Sequence, residues 1–303
     1  MQTVLIAGGG GLIGLRLSAI LKEKGYQVLH LSRQHRPNAA FPTYKWDVGQ
    51  QWADPEAIKR ADYVVNLAGA GIADSPWTAA RKKLIIDSRV DSARLLLSAF
   101  QEAGRRPKAY LSSAAIGYYG DRGEELLAEQ DQPGQGFLSE CCIAWERAGA
   151  EVAASGIRTV VFRTGIVLSR QGGALPRIML PIHFRLGTYF GNGRQWYSWI
   201  HIDDLCDMFV KAMEETQMEG VYNGVAPNPV RNKAFVEQAI TATGHSAMLV
   251  PAPAFALRLA LGEMASTILS STKASSRKIE EAGFSFRYPR LPEALENLLQ
   301  REG

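Results

Sequence analysis

Short, nearly continuous apolar runs punctuate the first two-thirds of the chain: Thr3–Ala7, Gln27–Leu31, Tyr63–Leu67, Ala109–Ser112 and Thr159–Arg163. Strands covered on both faces by helices carry this pattern, in place of the alternation of a half-exposed strand. Between them, helical periodicity predicts helices over Leu12–Lys24 (stopped by Gly25), from about Thr78 to Ala103, and over Phe137–Ser155. Ser75-Pro76 is a good opening for the second, with Ser accepting free amides and Pro fitting the first turn. Alternating β and α elements imply an α/β fold, a doubly wound parallel sheet of Rossmann type.

Beyond about Gly165 the texture changes. A Gly-rich stretch, 187–193, leads into Trp196, Tyr197 and Trp199; after a short strand at Val221–Asn223 come mostly helical segments broken by prolines. The expected division is a dinucleotide-binding domain over 1–169 and a smaller, mostly helical, substrate-side domain over 170–303. Segments near 200–223 return to the main sheet. No internal repeat or low-complexity tract is present.

Composition narrows the class. The 303 residues are 46% hydrophobic and 21% charged, ordinary for a soluble globular protein. A net charge of +4 is slight at this size and argues against a nucleic-acid partner. Cys141, Cys142 and Cys206 have neither metal-ligand spacing nor a disulfide framework, so no metal is expected and buried thiols in a reducing compartment are. No basic leader precedes Val4-Leu5-Ile6-Ala7. The most apolar later stretch, Leu249–Leu269, holds Arg258, Glu263 and two prolines, so it reads as a docked helix and not as a membrane span. The expectation is a cytoplasmic protein that takes a small-molecule substrate and no membrane.

Candidate chemistry begins at Gly8-Gly9-Gly10-Gly11-Leu12-Ile13-Gly14, directly after the first strand and before an amphipathic helix. A dinucleotide diphosphate needs bare backbone and a helix N-terminus. Glycine at 8 allows the tight turn, Gly11 lets backbone approach the phosphates, and Gly14 lets helix and strand pack closely. Gly8, Gly11, Leu12, Ile13 and Gly14 are therefore assigned to the cofactor. The second strand ends in Leu31-Ser32-Arg33, with no acid between Glu23 and Asp47 but with Arg33 and Arg36. A carboxylate there would accept from the ribose 2′-hydroxyl of NAD, whereas a guanidinium grips a 2′-phosphate. NADP is the preferred cofactor; a solvated arginine loop is the alternative. Asn66-Leu67-Ala68-Gly69 supplies small residues under the adenosine ribose. Asp47 either accepts from the adenine amino group or closes a turn.

Taken with Ile72-Ala73-Asp74, Trp77, Asp87-Ser88-Arg89, Gly117-Tyr118-Tyr119-Gly120, Trp145-Glu146, Arg163-Thr164-Gly165 and Gln195–His201, these motifs resemble one family. It is the "epimerase family protein" branch of atypical, extended short-chain dehydrogenases/reductases, related to nucleoside-diphosphate-sugar epimerases. Gly262-Glu263-Met264 and Ala282-Gly283-Phe284 resemble the branch's own C-terminal domain. The resemblance implies an NADP site touching Ser32, Arg33, Leu67, Ala68, Gly69 and Arg89, with backbone near Val167 beside the nicotinamide. The sequence alone leaves Arg89 equally well an exposed mid-helix charge.

Two departures matter. Pro76 stands where relatives commonly carry Arg. More seriously, the superfamily's Tyr-x-x-x-Lys, in which Lys lowers the Tyr pKa, is absent: none of the ten tyrosines has Lys four positions on. Counting back from Trp145-Glu146, those positions hold Leu138 and Cys142. The remaining candidates are Ser113, to hold a substrate carbonyl, and Tyr118, as proton donor or else as a packed loop aromatic. His201 with Asp203-Asp204 suggests a relay, but Asp203 as a helix cap is the expected role. The leading reading is an NADP(H)-dependent oxidoreductase or epimerase-like enzyme on a small carbonyl or nucleotide-linked substrate. The alternatives are a catalytically inert NADP(H) sensor or binding module, and a partner-binding protein using the apolar helix 253–269.

Overall fold

The computed structural model describes residues 1–34 and 39–299. Arg36 lies outside the described residues. The chain opens with strand β1 (Thr3–Ala7), helix α1 (Leu12–Glu23), β2 (Gln27–Ser32), β3 (Thr43–Asp47) and a short β4 (Trp52–Ala53). Then follow β5 (Tyr63–Asn66), α2 (Ala79–Glu102), β6 (Ala109–Ala115), α3 (Phe137–Ala154), β7 (Thr159–Thr164), α4 (Ile202–Glu214) and β8 (Gly220–Gly224). These strands form one 8-stranded sheet in the order β8-β7-β6-β5-β1-β2-β3-β4. Pairing is parallel throughout except at the β3–β4 edge. Strand order reverses beside β1, which opens a crevice at the strands' carboxyl ends, the place where doubly wound sheets bind ligands.

The continuous apolar strands serve two cores at once. On one face Val4, Ile6, Val65, Leu111 and Phe162 pack with α1 and α4; on the other Leu5, Ala7, Val64 and Tyr110 pack with α2 and α3. Successive side chains point to opposite faces, so only a strand apolar at every position satisfies both layers.

Helix α2 starts at its predicted place by a different cap. Thr78 Oγ1 accepts from the Arg81 amide at 3.2 Å, while Ser75 and Pro76 belong to the preceding loop. Ser75 sits too far upstream to reach the first-turn amides.

A third core surrounds Leu168, Met179, Trp199, Phe235 and Leu295. It includes small sheets as well as helices: Ile166–Ser169 runs parallel to Trp199–His201, and Leu186–Phe190 runs parallel to Met248–Ala252. The stretch expected as a docked helix is thus a strand followed by a helix, Ala254–Leu261, which buries none of its residues; Phe255 is 74% and Leu259 88% exposed. No described helix is long and apolar enough to cross a membrane. Among the described residues no cluster of His, Cys, Asp or Glu could hold a metal, and all three cysteines are free and buried.

Candidate cofactor and active site

The glycines of the first turn separate by what surrounds them. Gly8 has φ +79, and a Cβ on it would lie 2.8 Å from the Leu67 carbonyl carbon. A Cβ on Gly14 would lie 2.7 Å from Gly8 O and from Gly9 Cα, so its bareness lets α1 cross β1 closely. Gly11 differs: its backbone is extended, and a Cβ would meet only Gly8 O, at 3.3 Å. It faces outward at the start of α1, which has no side-chain cap and no acid in its first turn. The amides of Leu12 and Ile13 therefore present an unneutralised positive helix end at the crevice.

One residue that sequence reasoning missed supports this turn. Ser18 Oγ donates to Gly14 O at 2.6 Å, and His30 Nε2 lies 2.7 Å from Ser18 Oγ. The hydroxyl hydrogen is used on the carbonyl, so the imidazole must donate through Nε2. Burial pushes the His30 pKa down to about 4, which keeps the ring neutral beneath Gly9. A β2 histidine among apolar neighbours gives no sequence signal for this role.

At the end of β2, Ser32 is half-buried, accepting from the Gln34 amide at 3.3 Å, and Arg33 is exposed. Asp47 ends β3, where its Oδ1 accepts from the Gln50 amide at 3.0 Å, a turn role. Asn66 locks the next loop. Its Nδ2 donates to Ser92 Oγ (3.0 Å) and the Tyr110 hydroxyl (2.9 Å), and its Oδ1 accepts from the Ala68 amide (3.1 Å). Leu67, Ala68 and Gly69 are thereby held against the glycine turn. Val167 runs beside Ile200, and its carbonyl and the Leu12 side chain would each lie 3.3 Å from a Cβ on Gly173.

Arg89 is no exposed mid-helix charge. It is 9% exposed, its guanidinium donates to Ala70 O (3.0 Å) and Ile85 O (2.8 Å), and it lies 4.8 Å from the Trp145 ring centre. Burial lowers its pKa, and no carboxylate among the described residues pairs with it. Trp145 Nε1 is likewise buried without an acceptor among the described residues. A buried cation whose hydrogen bonds go only to carbonyls suits a nearby anionic ligand.

The carboxyl ends of β6 and β7 carry the candidate chemistry. Ser113 is buried, with its hydroxyl 2.9 Å from Thr164 Oγ1. Tyr118 is half-buried, its ring centre 3.4 Å from the Arg163 guanidinium. Arg163 is itself fixed: Nε and one terminal nitrogen donate to both Glu146 oxygens at 2.7 and 2.8 Å, and the other donates to the Tyr119 hydroxyl and Glu129 O. Burial opposes its charge, but the Glu146 bonds outweigh it and hold the guanidinium above its usual pKa. The Tyr119 hydroxyl, pushed up to about 12 by burial, lies 2.7 Å from Asn223 Oδ1. Tyr118, Tyr119, Glu146 and Arg163, read in sequence within separate motifs, thus meet in one assembly around the buried Arg163 guanidinium.

Leu138 and Cys142 sit against the same turn: a Cβ on Gly117 would lie 3.3 Å from Leu138 Cβ and 3.8 Å from Cys142 Sγ. Burial pushes the Cys142 thiol up to about 12, so neither residue is a base near neutral pH. The expected cap of α4 is also corrected. His201 Nδ1 accepts from the Asp203 amide at 3.0 Å and is the cap, while Asp203 pairs with Arg16 Nε at 2.6 Å. The ring reaches the amide from one residue before the helix, leaving the carboxylate to bridge α4 to α1.

A profile described as the NAD dependent epimerase/dehydratase family matches residues 4–223, and one for a domain of unknown function, DUF1731, matches 252–298. Epimerase family protein YfhF of Bacillus subtilis is 35% identical over 300 residues, covering 98% of both chains. The crystal structure of human epimerase family protein SDR39U1 with NADPH matches with TM-score 0.89 and 31% identity, over 98% of this chain and 99% of that one. UDP-glucuronic acid 4-epimerase of Bacillus cereus, in complex with UDP-glucuronic acid and NAD, matches with TM-score 0.79 at 17% identity, over 98% of each chain. That likeness concerns the fold alone.

Proposed function

The chain belongs to the NAD dependent epimerase/dehydratase family, and from that premise we propose that it binds NADP(H) across the β1 crevice and reduces a small carbonyl compound. The observation that carries this reading is the open cradle at Gly11, where the uncapped N-terminus of α1 meets bare backbone. Gly8, Gly11, Leu12, Ile13 and Gly14 hold the diphosphate. Ser32 and Arg33, with Arg36, take the 2′-phosphate in place of an acid. Leu67, Ala68 and Gly69 pass under the adenosine ribose, Asp47 keeps Oδ2 as an acceptor for the adenine amino group while Oδ1 closes the turn to Gln50, Arg89 supplies buried positive charge, and Val167 flanks the nicotinamide. Residues 170–303 form the substrate side.

Bound NADPH supplies a hydride to the carbonyl carbon. The chain supplies position and a proton: Tyr118, its ring fixed by Arg163, donates from its hydroxyl to the carbonyl oxygen, and Ser113 orients that oxygen. Oxidation of a sugar hydroxyl, the opening step of epimerisation, requires a base, and Leu138 and Cys142 offer none. The test assays the purified chain with NADPH against quinones, aldehydes and ketones, beside epimerisation of nucleotide sugars. Carbonyl reduction lost in Tyr118→Phe is expected; robust epimerase turnover overturns the reading. The same apolar pair favours a second reading, an NADP(H) sensor without turnover, which tight NADPH binding with silence across both panels would select.

A further inference from the structure

Between the loop Ala73–Thr78 and the turn Ala260–Met264 lies a cleft of ≈480 Å³. The cleft is open to solvent, with a volume in the range of small-ligand sites, ~300–1,000 Å³. Its apolar walls are Pro76, Trp77, Ala260, Leu261 and Met264. The ionic groups lining it are acidic, Asp74 and Glu263; it has no Lys or Arg among its lining residues. The nearby cations are engaged: Arg81 pairs with Asp74 at 3.3 Å, and Lys82 pairs with Glu263.

Trp77 turns its one polar atom away, Nε1 donating to Ile72 O at 2.8 Å. Its ring meets Phe137 edge-on at 4.7 Å. Phe137 opens α3 and is followed by Leu138, which packs against Gly117, the neighbour of Tyr118. Trp77 and Phe137 thus tie the cleft to the first turn of α3, whose next residue, Leu138, packs under the turn carrying the proton donor, with the Lys82 ammonium over the Phe137 ring at 5.4 Å.

We propose that this cleft is the subsite for the body of a flat, apolar aromatic carbonyl compound, and that it rejects the diphosphate of a nucleotide sugar. A diphosphate there would find both nearby cations already paired, Arg81 with Asp74 and Lys82 with Glu263, so it would lose its water with no free positive charge to replace it. An aromatic ring would instead bury its faces against Trp77, Leu261 and Met264. The proposal rests on the NADP(H) reading for chemistry: the carbonyl carbon gains the hydride, its oxygen gains the proton, and NADPH leaves as NADP⁺. Binding to the cleft itself is separable from turnover.

Ligand-observed NMR with naphthyl methyl ketone and with UDP-glucose, on the native chain with and without NADPH, tests it. Leu261→Glu puts a charge into the cleft wall, and Leu259→Glu, on a residue 88% exposed and outside the lining, is the control. The ketone is expected to bind the native chain, to weaken at least about tenfold in Leu261→Glu, where a carboxylate must lose water against the ring, and to be unchanged in Leu259→Glu. UDP-glucose is expected not to compete. Failure of the ketone to bind, equal affinity in both variants, or displacement by UDP-glucose overturns the proposal. NADPH titrated alone distinguishes the two claims, because a chain that binds the ketone but no NADPH refutes the cofactor reading and leaves the subsite standing.

Discussion

Replacing Gly11 by Val separates a binding role from a folding role within one motif. A Cβ at this position meets only Gly8 O, at 3.3 Å, and the backbone is extended, with φ −81. The fold needs a shift of a few tenths of an ångström, and an apolar side chain at an N-cap costs about 1 kcal/mol or less relative to glycine. The melting temperature should fall by only ~2–4 °C. Binding is another matter, because the branched side chain fills the space where phosphate oxygens would reach the first-turn amides. Losing two charge-assisted hydrogen bonds, at roughly 1.5–3 kcal/mol each, weakens NADPH more than about a hundredfold. Gly14→Ala should do the reverse damage, since its Cβ would overlap Gly8 O and Gly9 Cα at 2.7 Å and the neighbours are backbone. Its cost falls on the fold, about 1–3 kcal/mol or more. The assay pairs NADPH fluorescence titration with thermal melting for each variant. A folded Gly11→Val chain that binds NADPH like the native protein would refute the placement of the phosphates.

Arg33→Ala should weaken NADPH about tenfold or more, from the loss of one charge-assisted contact, and leave NADH nearly unchanged; calorimetric titration showing equal native affinity for both sinks the 2′-phosphate assignment. Glu146→Ala should destabilise the chain by about 3–5 kcal/mol in urea melts, since it strands the buried Arg163 charge; a loss below ~1 kcal/mol, the scale of a surface pair, would show that the network is incidental. His30, with a folded pKa of about 4 against an ordinary 6.5, stays neutral while the unfolded chain takes up a proton. Its contribution is therefore fully present above pH 6.5 and is lost as pH falls toward 4. His30→Gln should flatten that part of the stability profile, and identical pH profiles in the two chains would contradict a buried neutral ring.

The parts legible in the sequence are those whose signal is local. The strands β1, β2, β5, β6 and β7 each carry adjacent apolar residues that serve both covered faces, and the glycine turn declares itself by its place between a strand and a helix. What escaped depends on partners distant in the chain. Thr43–Asp47 is mixed in polarity because it lies near the sheet's edge, so it carries no apolar run to mark it as a strand. Met248–Ala252, with a proline inside, becomes a strand only because Leu186–Phe190 runs beside it. At the caps, the Ser75 hydroxyl and the Asp203 carboxylate looked sufficient, yet Thr78 and the His201 ring hold the geometry. Glu146 and Arg163 stand 17 residues apart, Tyr119 and Arg163 44, and Tyr119 and Asn223 104, so their strings were readable and their joint purpose was not.

That joint purpose bears on how a chain without Tyr-x-x-x-Lys could still handle a proton. In the superfamily's Tyr-x-x-x-Lys pattern the lysine stands four residues, about one helical turn, beyond its tyrosine. Here the cation beneath the candidate tyrosine comes from a strand, and its nitrogens are committed to Glu146, Tyr119 and Glu129. What Arg163 has left to offer Tyr118 is its flat face, at 3.4 Å. A guanidinium so tied cannot swing away, so the stack fixes the Tyr118 ring plane and with it the position of the hydroxyl. Such a group is well placed to give a proton along one direction. Epimerisation asks for more: a base must take the sugar hydroxyl's proton as hydride leaves the carbon, and the hydride must then return to the opposite face of the ring. On the reading proposed above, the fixed Tyr118 hydroxyl gives its proton to a carbonyl oxygen as the hydride arrives, and the lysine that readies the superfamily's tyrosine for the reverse task, taking a hydroxyl proton, is missing here.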